Sequence, residues 1–322
     1  MYSSQNNREK ITARLESLKE DIDLESTDWS EEVIEKLVEM ASRGKMVRGS
    51  LLIDAYQIMG GEKDIKNYAA AIELVHTGLL VHDDIIDRDE VRRGIDALHV
   101  SYRSEKFSDR EARNLALCSG DVAYFLAFQL ISESEVRSSK ALSVFSSTFS
   151  RVGLGEMSDI ELSGRESELD QVVQMYRDKT ASYTFALPLR LAAVLTEEED
   201  RDDLKDLGLE LGVLYQIKDD HLDLFSGAGD TGKPKLSDLI EGKTTLHTEL
   251  LEQRSGTQIN GELSREKARE VVSEMREHSI DKAVEKEMTE RKEAIEQEIE
   301  TLDRGLADLL AQVVDLVVER ER

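Results

Sequence analysis

The sequence predicts an all-α fold: one helical domain over residues 1–322, its helices bundled around a central cavity. Three observations carry this expectation. Ala, Leu, Glu, Asp, Lys and Arg fill most windows, a composition that favours helix. Only Pro188 and Pro234 interrupt the chain as prolines. Apolar residues recur three or four apart, and no alternating strand pattern stands out.

Taken in order, residues 49–59 (GSLLIDAYQIM) form an apolar helix stopped by Gly60-Gly61. Residues 65–87 repeat apolar side chains at helical spacing and end in an acidic run. Residues 88–99 are charged, contain Gly94 and read as a loop. Residues 109–132 carry Leu115, Leu117, Val122, Tyr124, Phe125, Phe128 and Leu130, which suit a buried helix. Residues 201–225 predict another, again ending in acid. SGAGDTGKPKLSDLIEGK then reads as a long loop. From residue 263 the spacing of Val284, Met288, Ile295, Ile299, Leu302, Leu306, Leu309, Val313 and Val317 predicts amphipathic helices.

Bulk composition narrows the function. A hydrophobic content of 39% is enough for a real core. The formal net charge of −26 makes nucleic acid an unsuitable partner. Acid is spread along the chain as a solvated surface, which fits a high-salt cytoplasm where screening removes self-repulsion. The single Cys118 excludes a disulfide framework and a cysteine-rich zinc site. The polar start argues against a signal peptide, and no uninterrupted apolar run reaches the ~18 residues of a membrane span. A soluble, cytoplasmic protein is expected.

One acidic pattern occurs twice. Asp83-Asp84-Ile85-Ile86-Asp87 and Asp219-Asp220-His221-Leu222-Asp223 are both DDxxD, each in an apolar helical setting. On a helix, positions i and i+4 share a face, so the first and last aspartates of each motif point the same way. Carboxylates so close repel unless a cation lies between them. If the two helices face one another, the six aspartates line opposite walls of one cavity. Oxygen donors of this kind suit Mg²⁺ bridging carboxylates to a substrate phosphate, whereas zinc would want Cys or paired His. Basic residues are the minority, so their positions matter. Lys45 and Arg48 lie in GKMVR, Arg92 and Arg93 follow the first motif, Lys179 lies in DKTASY, and Lys233 and Lys243 follow the second. Arg and Lys are the side chains that bind phosphate.

These residues together resemble the trans-prenyl diphosphate synthases of the polyprenyl synthetase family, from about residue 40 to the C-terminus. GKMVR resembles the family's GKxxR. ELVHTGLLVHDDIIDRDEVRRG resembles its first aspartate-rich region, KTASY its KT element, YQIKDDHLD its second aspartate-rich region, and GKPKLSDLIEGKTT the loop that follows. There are departures. Gly49 stands where Pro is usual, the Pro after RRG is missing although His99 is kept, Tyr215 replaces Phe, and Glu156 replaces the Gln before Asp159.

The resemblance implies condensation of isopentenyl diphosphate with an allylic diphosphate of five to fifteen carbons. It implies Mg²⁺, three ions, or Mn²⁺ in its place, held by Asp83, Asp84, Asp87, Asp219, Asp220 and Asp223. Arg92, Lys179, Lys233 and Lys243 would neutralise the diphosphate. Lys45, Arg48, His76 and Arg93 would bind isopentenyl diphosphate. The Lys179 carbonyl, Thr180 and Gln216 would face the carbocation. A homodimer is the implied assembly. Product length is expected to depend on Gly78 and Leu79, five and four residues before Asp83, where bulk stops growth in the family. Gly78 would leave a gap. Val75, Ile72 or Phe125 would then form a deeper floor, giving mainly a twenty-carbon product, and Gly78→Phe would shorten it. Two other readings stay open. A class I terpene cyclase shares DDxxD but carries a different second metal motif. A non-catalytic regulatory subunit shares the family pattern but commonly loses motif residues.

Overall fold

In the computed structural model, which describes residues 4–21, 28–105, 107–136, 138–198, 201–225 and 236–319, helices dominate as expected. The described residues divide into two compact units, the first running to residue 139 and the second from residue 140.

In the first unit, helices α1 (Ser4–Asp21), α2 (Asp28–Ser42) and α3 (Val47–Ile58) pack on α4 (Lys66–Ile86). The stretch Asn67–Gly78 of α4 is buried continuously, so this helix is apolar on nearly every side. The expected loop after it contains a hairpin, β1 (Val91–Arg92) and β2 (Ile95–Asp96), paired Val91 to Asp96 and Arg92 to Ile95. Its two connecting residues, Arg93 and Gly94, have φ of +53° and +78°. Two positive φ values in a two-residue turn are the type I′ pattern, whose twist suits a hairpin. The sequence reading missed this because strands of two residues leave no alternation to detect.

Helix α5 (Leu98–Glu105) leads to α6 (Asp109–Ser132), opened by a capping box in which Ser108 and Glu111 satisfy each other's backbone N–H groups. Ala112, Ala116, Gly120, Ala123 and Ala127 form a narrow buried face on α6, and α4 is its main neighbour. By length and composition α6 could cross a membrane, although 44% of its apolar window is buried. A core helix has the same length and composition, so no membrane span follows from it. Isolated polar residues such as Ser119 and Asp121 break the run without lowering its mean hydropathy enough.

The second unit comprises α7 (Ser139–Leu162), α8 (Leu169–Tyr176), a π-helical stretch (Arg177–Ala186), α9 (Leu187–Leu195), α10 (Asp202–Phe225), α11 (Ser237–Glu241), α12 (Leu246–Ser255), α13 (Arg265–Glu277), α14 (Ile280–Ile299) and α15 (Arg304–Val318). The π stretch lies against α10. Cβ atoms added at Gly208 and Gly212 would stand 2.5 and 2.3 Å from the α-carbons of Ala186 and Ala181, so only glycine permits this approach. The C-terminal helices are amphipathic as predicted. Val271, Val272 and Met275 of α13 and Ile280 and Val284 of α14 bury their side chains in one cluster with Val213 and Ile217 of α10.

Candidate active site

The first acidic motif occupies the last turn of α4 and its C-cap. Asp83 and Asp87 are partly exposed, whereas Asp84 is fully buried. Arg92, placed by the hairpin, donates from Nε to Asp84 Oδ1 at 2.5 Å and from Nη2 to Asp89 at 2.7 Å. Burial works against the Arg92 charge, but Asp84, Asp89 and Asp83 outweigh it and raise its pKa above the usual arginine value. Asp84 thus pairs with Arg92 in this structure, beside the partly exposed Asp83 and Asp87.

Basic residues gather in the same unit. Arg93 donates to the Met40 carbonyl at 2.7 Å, and its guanidinium lies over Gly44, where a Cβ would come within 2.7 Å of Nη1. His76 is buried, and that burial, with the charges of Arg48, Arg93 and Arg92, drives its pKa well below the ordinary histidine value. It is neutral at physiological pH, so the positive charge of this cluster comes from the arginines. Lys45 is exposed at the edge of the GKMVR segment. Gly49, which departs from the usual proline, donates its N–H to the buried carboxylate of Glu73 at 2.9 Å, a bond proline cannot make.

The positions assigned to product length behave differently from expectation. Gly78 leaves no gap. A Cβ there would meet Tyr124 Cε1 at 2.8 Å and the Gly120 carbonyl oxygen at 2.9 Å. A phenylalanine at this position would have to displace both. Val75 is buried at 3% exposure and Leu79 is partly buried. Phe125 points outward at 74% exposure and is no floor.

In the second unit, Asp219 and Asp223 on α10 are partly exposed and Asp220 is buried. Asp220 Oδ1 accepts from Gln216 at 2.7 Å, and Oδ2 accepts from the hydroxyl of Tyr176. That hydroxyl accepts in turn from the Leu246 N–H at 3.0 Å. Thr180 donates to Gln216 Oε1 at 2.8 Å, completing a part-buried relay from the π stretch to α10. Burial, then the nearby Asp238 carboxylate, pushes the Asp220 pKa well above the carboxylate range. A bound divalent cation would counter that push. Asp223 accepts from the Ser237 hydroxyl at 3.1 Å. Lys179 sits between carboxylates of α7, 2.5 Å from Asp159 and 2.9 Å from Glu156. Lys243 pairs with Glu241 at 2.8 Å. Lys233 lies outside the described residues.

Tyr176 escaped the sequence reading. A tyrosine three residues before Lys179, on a buried face, must find a hydroxyl partner, and that requirement is the available signal. The π stretch around Lys179-Thr180 also has no sequence signature, yet such bulges mark functional sites.

Among the described residues, no three Asp, Glu, His or Cys side chains form a ready-made metal cluster. The donors nonetheless suit Mg²⁺, which binds through one or two carboxylates plus phosphate oxygens rather than an all-protein cage. Asp83 and Asp87, and likewise Asp219 and Asp223, are oxygen donors left partly exposed at a helix end, while the middle aspartate of each motif is buried and held, Asp84 by Arg92 and Asp220 by Gln216 and Tyr176.

The family model described as Polyprenyl synthetase matches residues 27–285. The chain belongs to the polyprenyl synthetase family. Among its relatives, a short chain isoprenyl diphosphate synthase of Methanothermobacter thermautotrophicus is 31% identical over 86% of this chain and 87% of its own. The geranylgeranyl diphosphate synthase of Sulfolobus acidocaldarius is 33% identical over 64% of this chain, and the match spans 62% of that protein's length. A solved geranylgeranyl pyrophosphate synthase from Corynebacterium glutamicum, complexed with isoprenyl diphosphate and magnesium, has a TM-score of 0.84 at 23% identity, covering 99% of this chain and 98% of its own. The likeness confirms the all-α polyprenyl synthetase fold.

Proposed function

We propose that this polyprenyl synthetase is a trans-prenyl diphosphate synthase. It condenses isopentenyl diphosphate with an allylic diphosphate of five to fifteen carbons and yields chiefly the twenty-carbon geranylgeranyl diphosphate. The observation that carries this reading is the doubled DDxxD, each copy at the end of a long helix, with its outer aspartates partly exposed and its middle one buried. Loss of motif residues would favour a regulatory subunit, but both triads are intact.

In this reading the allylic C–O bond breaks with its electron pair leaving on the diphosphate. The double bond of isopentenyl diphosphate attacks the resulting cation at C1, and a proton then leaves to restore a double bond. Mg²⁺, when bound by Asp83, Asp84, Asp87, Asp219, Asp220 and Asp223, would stabilise the departing diphosphate as a Lewis acid. Arg92, Lys179, Lys233 and Lys243 oppose its charge, Lys179 exchanging Glu156 and Asp159 for phosphate oxygens. Arg48 and Arg93, with Lys45 at the rim and neutral His76 beside them, bind isopentenyl diphosphate. The Lys179 carbonyl, Thr180 and Gln216 present oxygen to the cation. We also read the protein as a homodimer, a view supported by the exposed Leu117, Phe125 and Phe128 of α6 and Leu154, Met157 and Ile160 of α7.

The test is incubation with isopentenyl diphosphate, Mg²⁺ and five-, ten- or fifteen-carbon primers, followed by product sizing. A linear twenty-carbon diphosphate supports the reading. Cyclic hydrocarbons, or no turnover, would refute it.

A further inference from the structure

We propose that Tyr124, on α6, limits product length by closing the path of the growing tail beside Gly78. This rests on the synthase reading above, with the tail taken to run back along α4 from the first acidic motif. Gly78 lies five residues before Asp83, about 7.5 Å along the helix axis. A stop at that depth needs bulk, and α4 has none to offer there because residue 78 has no side chain.

The bulk comes from the neighbouring helix. The edge of the Tyr124 ring fills the space of the missing side chain, with Cε1 and Cδ1 lying 2.8 and 3.1 Å from where a Cβ of residue 78 would stand. The ring is held in place. Its hydroxyl is 3.2 Å from His82 Nδ1, and the two rings meet edge to face with centroids 5.4 Å apart. The other nitrogen of His82, Nε2, lies 3.2 Å from the Leu117 carbonyl. His82 therefore donates to that carbonyl and accepts a hydrogen bond from the Tyr124 hydroxyl, which holds the Tyr124 ring against the residue that precedes Asp83. A Cβ at Gly120 would come within 2.3 Å of His82, so a glycine there lets the imidazole settle against α6.

Tyr124 is also reachable. It is partly exposed, as are Leu79 and Leu80 of α4, whereas α4 from Asn67 to Gly78 is buried. Removing the ring would open a notch leading toward Val75, three residues deeper. That adds about 4.5 Å of helix, close to one isoprene unit.

The experiment sizes the products formed from isopentenyl diphosphate, a fifteen-carbon allylic primer and Mg²⁺ by the wild type, Tyr124→Phe, Tyr124→Leu and Tyr124→Ala. Circular dichroism checks that each variant is folded. Tyr124→Phe should keep the wild-type distribution, because the ring remains. Tyr124→Leu and Tyr124→Ala should move the main product up by at least one five-carbon unit. Wild-type lengths from either folded smaller variant would overturn the proposal. So would loss of fold in both, which would make the ring a packing element only. A wild type that elongates no primer would refute the synthase reading instead.

Discussion

Asp220 owes its position to a phenol. Tyr176 donates to one carboxylate oxygen while Gln216 donates to the other, and the Leu246 N–H fixes the phenol itself. Tyr176→Phe would leave both a buried carboxylate oxygen and a backbone N–H short of a partner. Outer-shell partners of metal ligands are worth roughly 10- to 100-fold in affinity. The predicted result is a fall of about that size in Mg²⁺ affinity measured by calorimetry with inorganic pyrophosphate present, while the circular dichroism spectrum is kept. Unchanged affinity would contradict the bracing role. His247 supplies a pH prediction. It is fully buried beside His221, and burial, then the His221 charge, lowers its pKa to about 3. Below the ordinary histidine pKa of about 6.5 the unfolded chain takes up a proton that the native state refuses. Its contribution is therefore complete above that pH and falls away as pH drops toward 3, by up to about 1.4 kcal/mol per unit. His247→Gln should flatten the fall of Tm between pH 6.5 and 4, and an unaltered slope would sink this assignment. At this scale the charged residues were legible in the sequence because their types and spacing name a chemistry. Tyr176, Tyr124 and Glu73 were not, because their partners lie far along the chain and only packing brings them together.

At the scale of elements, close backbone approach sets the geometry. Helix α3 is tied to α4 by the Gly49 N–H on Glu73, and Gly49 itself sits where a Cβ would be 2.9 Å from the Ala69 carbonyl. Gly49→Pro would remove a bond to a charged group, worth about 1.5–3 kcal/mol, and add a clash. It should therefore lower the unfolding free energy in urea by at least that amount, even though proline is the family's usual residue here. A neutral or stabilising effect would contradict the stated role of Glu73. The long helices were legible from periodicity: the expected 109–132 is α6, and 65–87 is α4 to within a residue at each end. The hairpin and the π stretch were hidden for opposite reasons. The first is too short to show a period, and the second has the residues of an ordinary helix. Gly78 was read as a vacancy because a sequence shows which side chain is absent, not which neighbour fills the space.

Across the whole molecule, charge dominates. A net charge of −26 repels itself in dilute buffer and is screened over a few ångströms at molar salt. The folded fraction, followed by circular dichroism at fixed temperature, should fall as KCl is lowered from about 2 M to 0.05 M, where the Debye length grows several-fold. A salt-independent fold would remove the case for a saline working environment. The proposed reaction requires the aspartates of both motifs for the diphosphate to depart. Its most direct test is pyrophosphate release in a single turnover of fifteen-carbon allylic diphosphate with isopentenyl diphosphate and Mg²⁺, comparing the wild type with Asp83→Asn and Asp219→Asn. The account predicts release by the wild type and a loss of at least about 100-fold in each variant, the scale on which removing one electrostatic contact to a transition state is felt. A wild-type rate in either variant, or no release from the wild type, would contradict it.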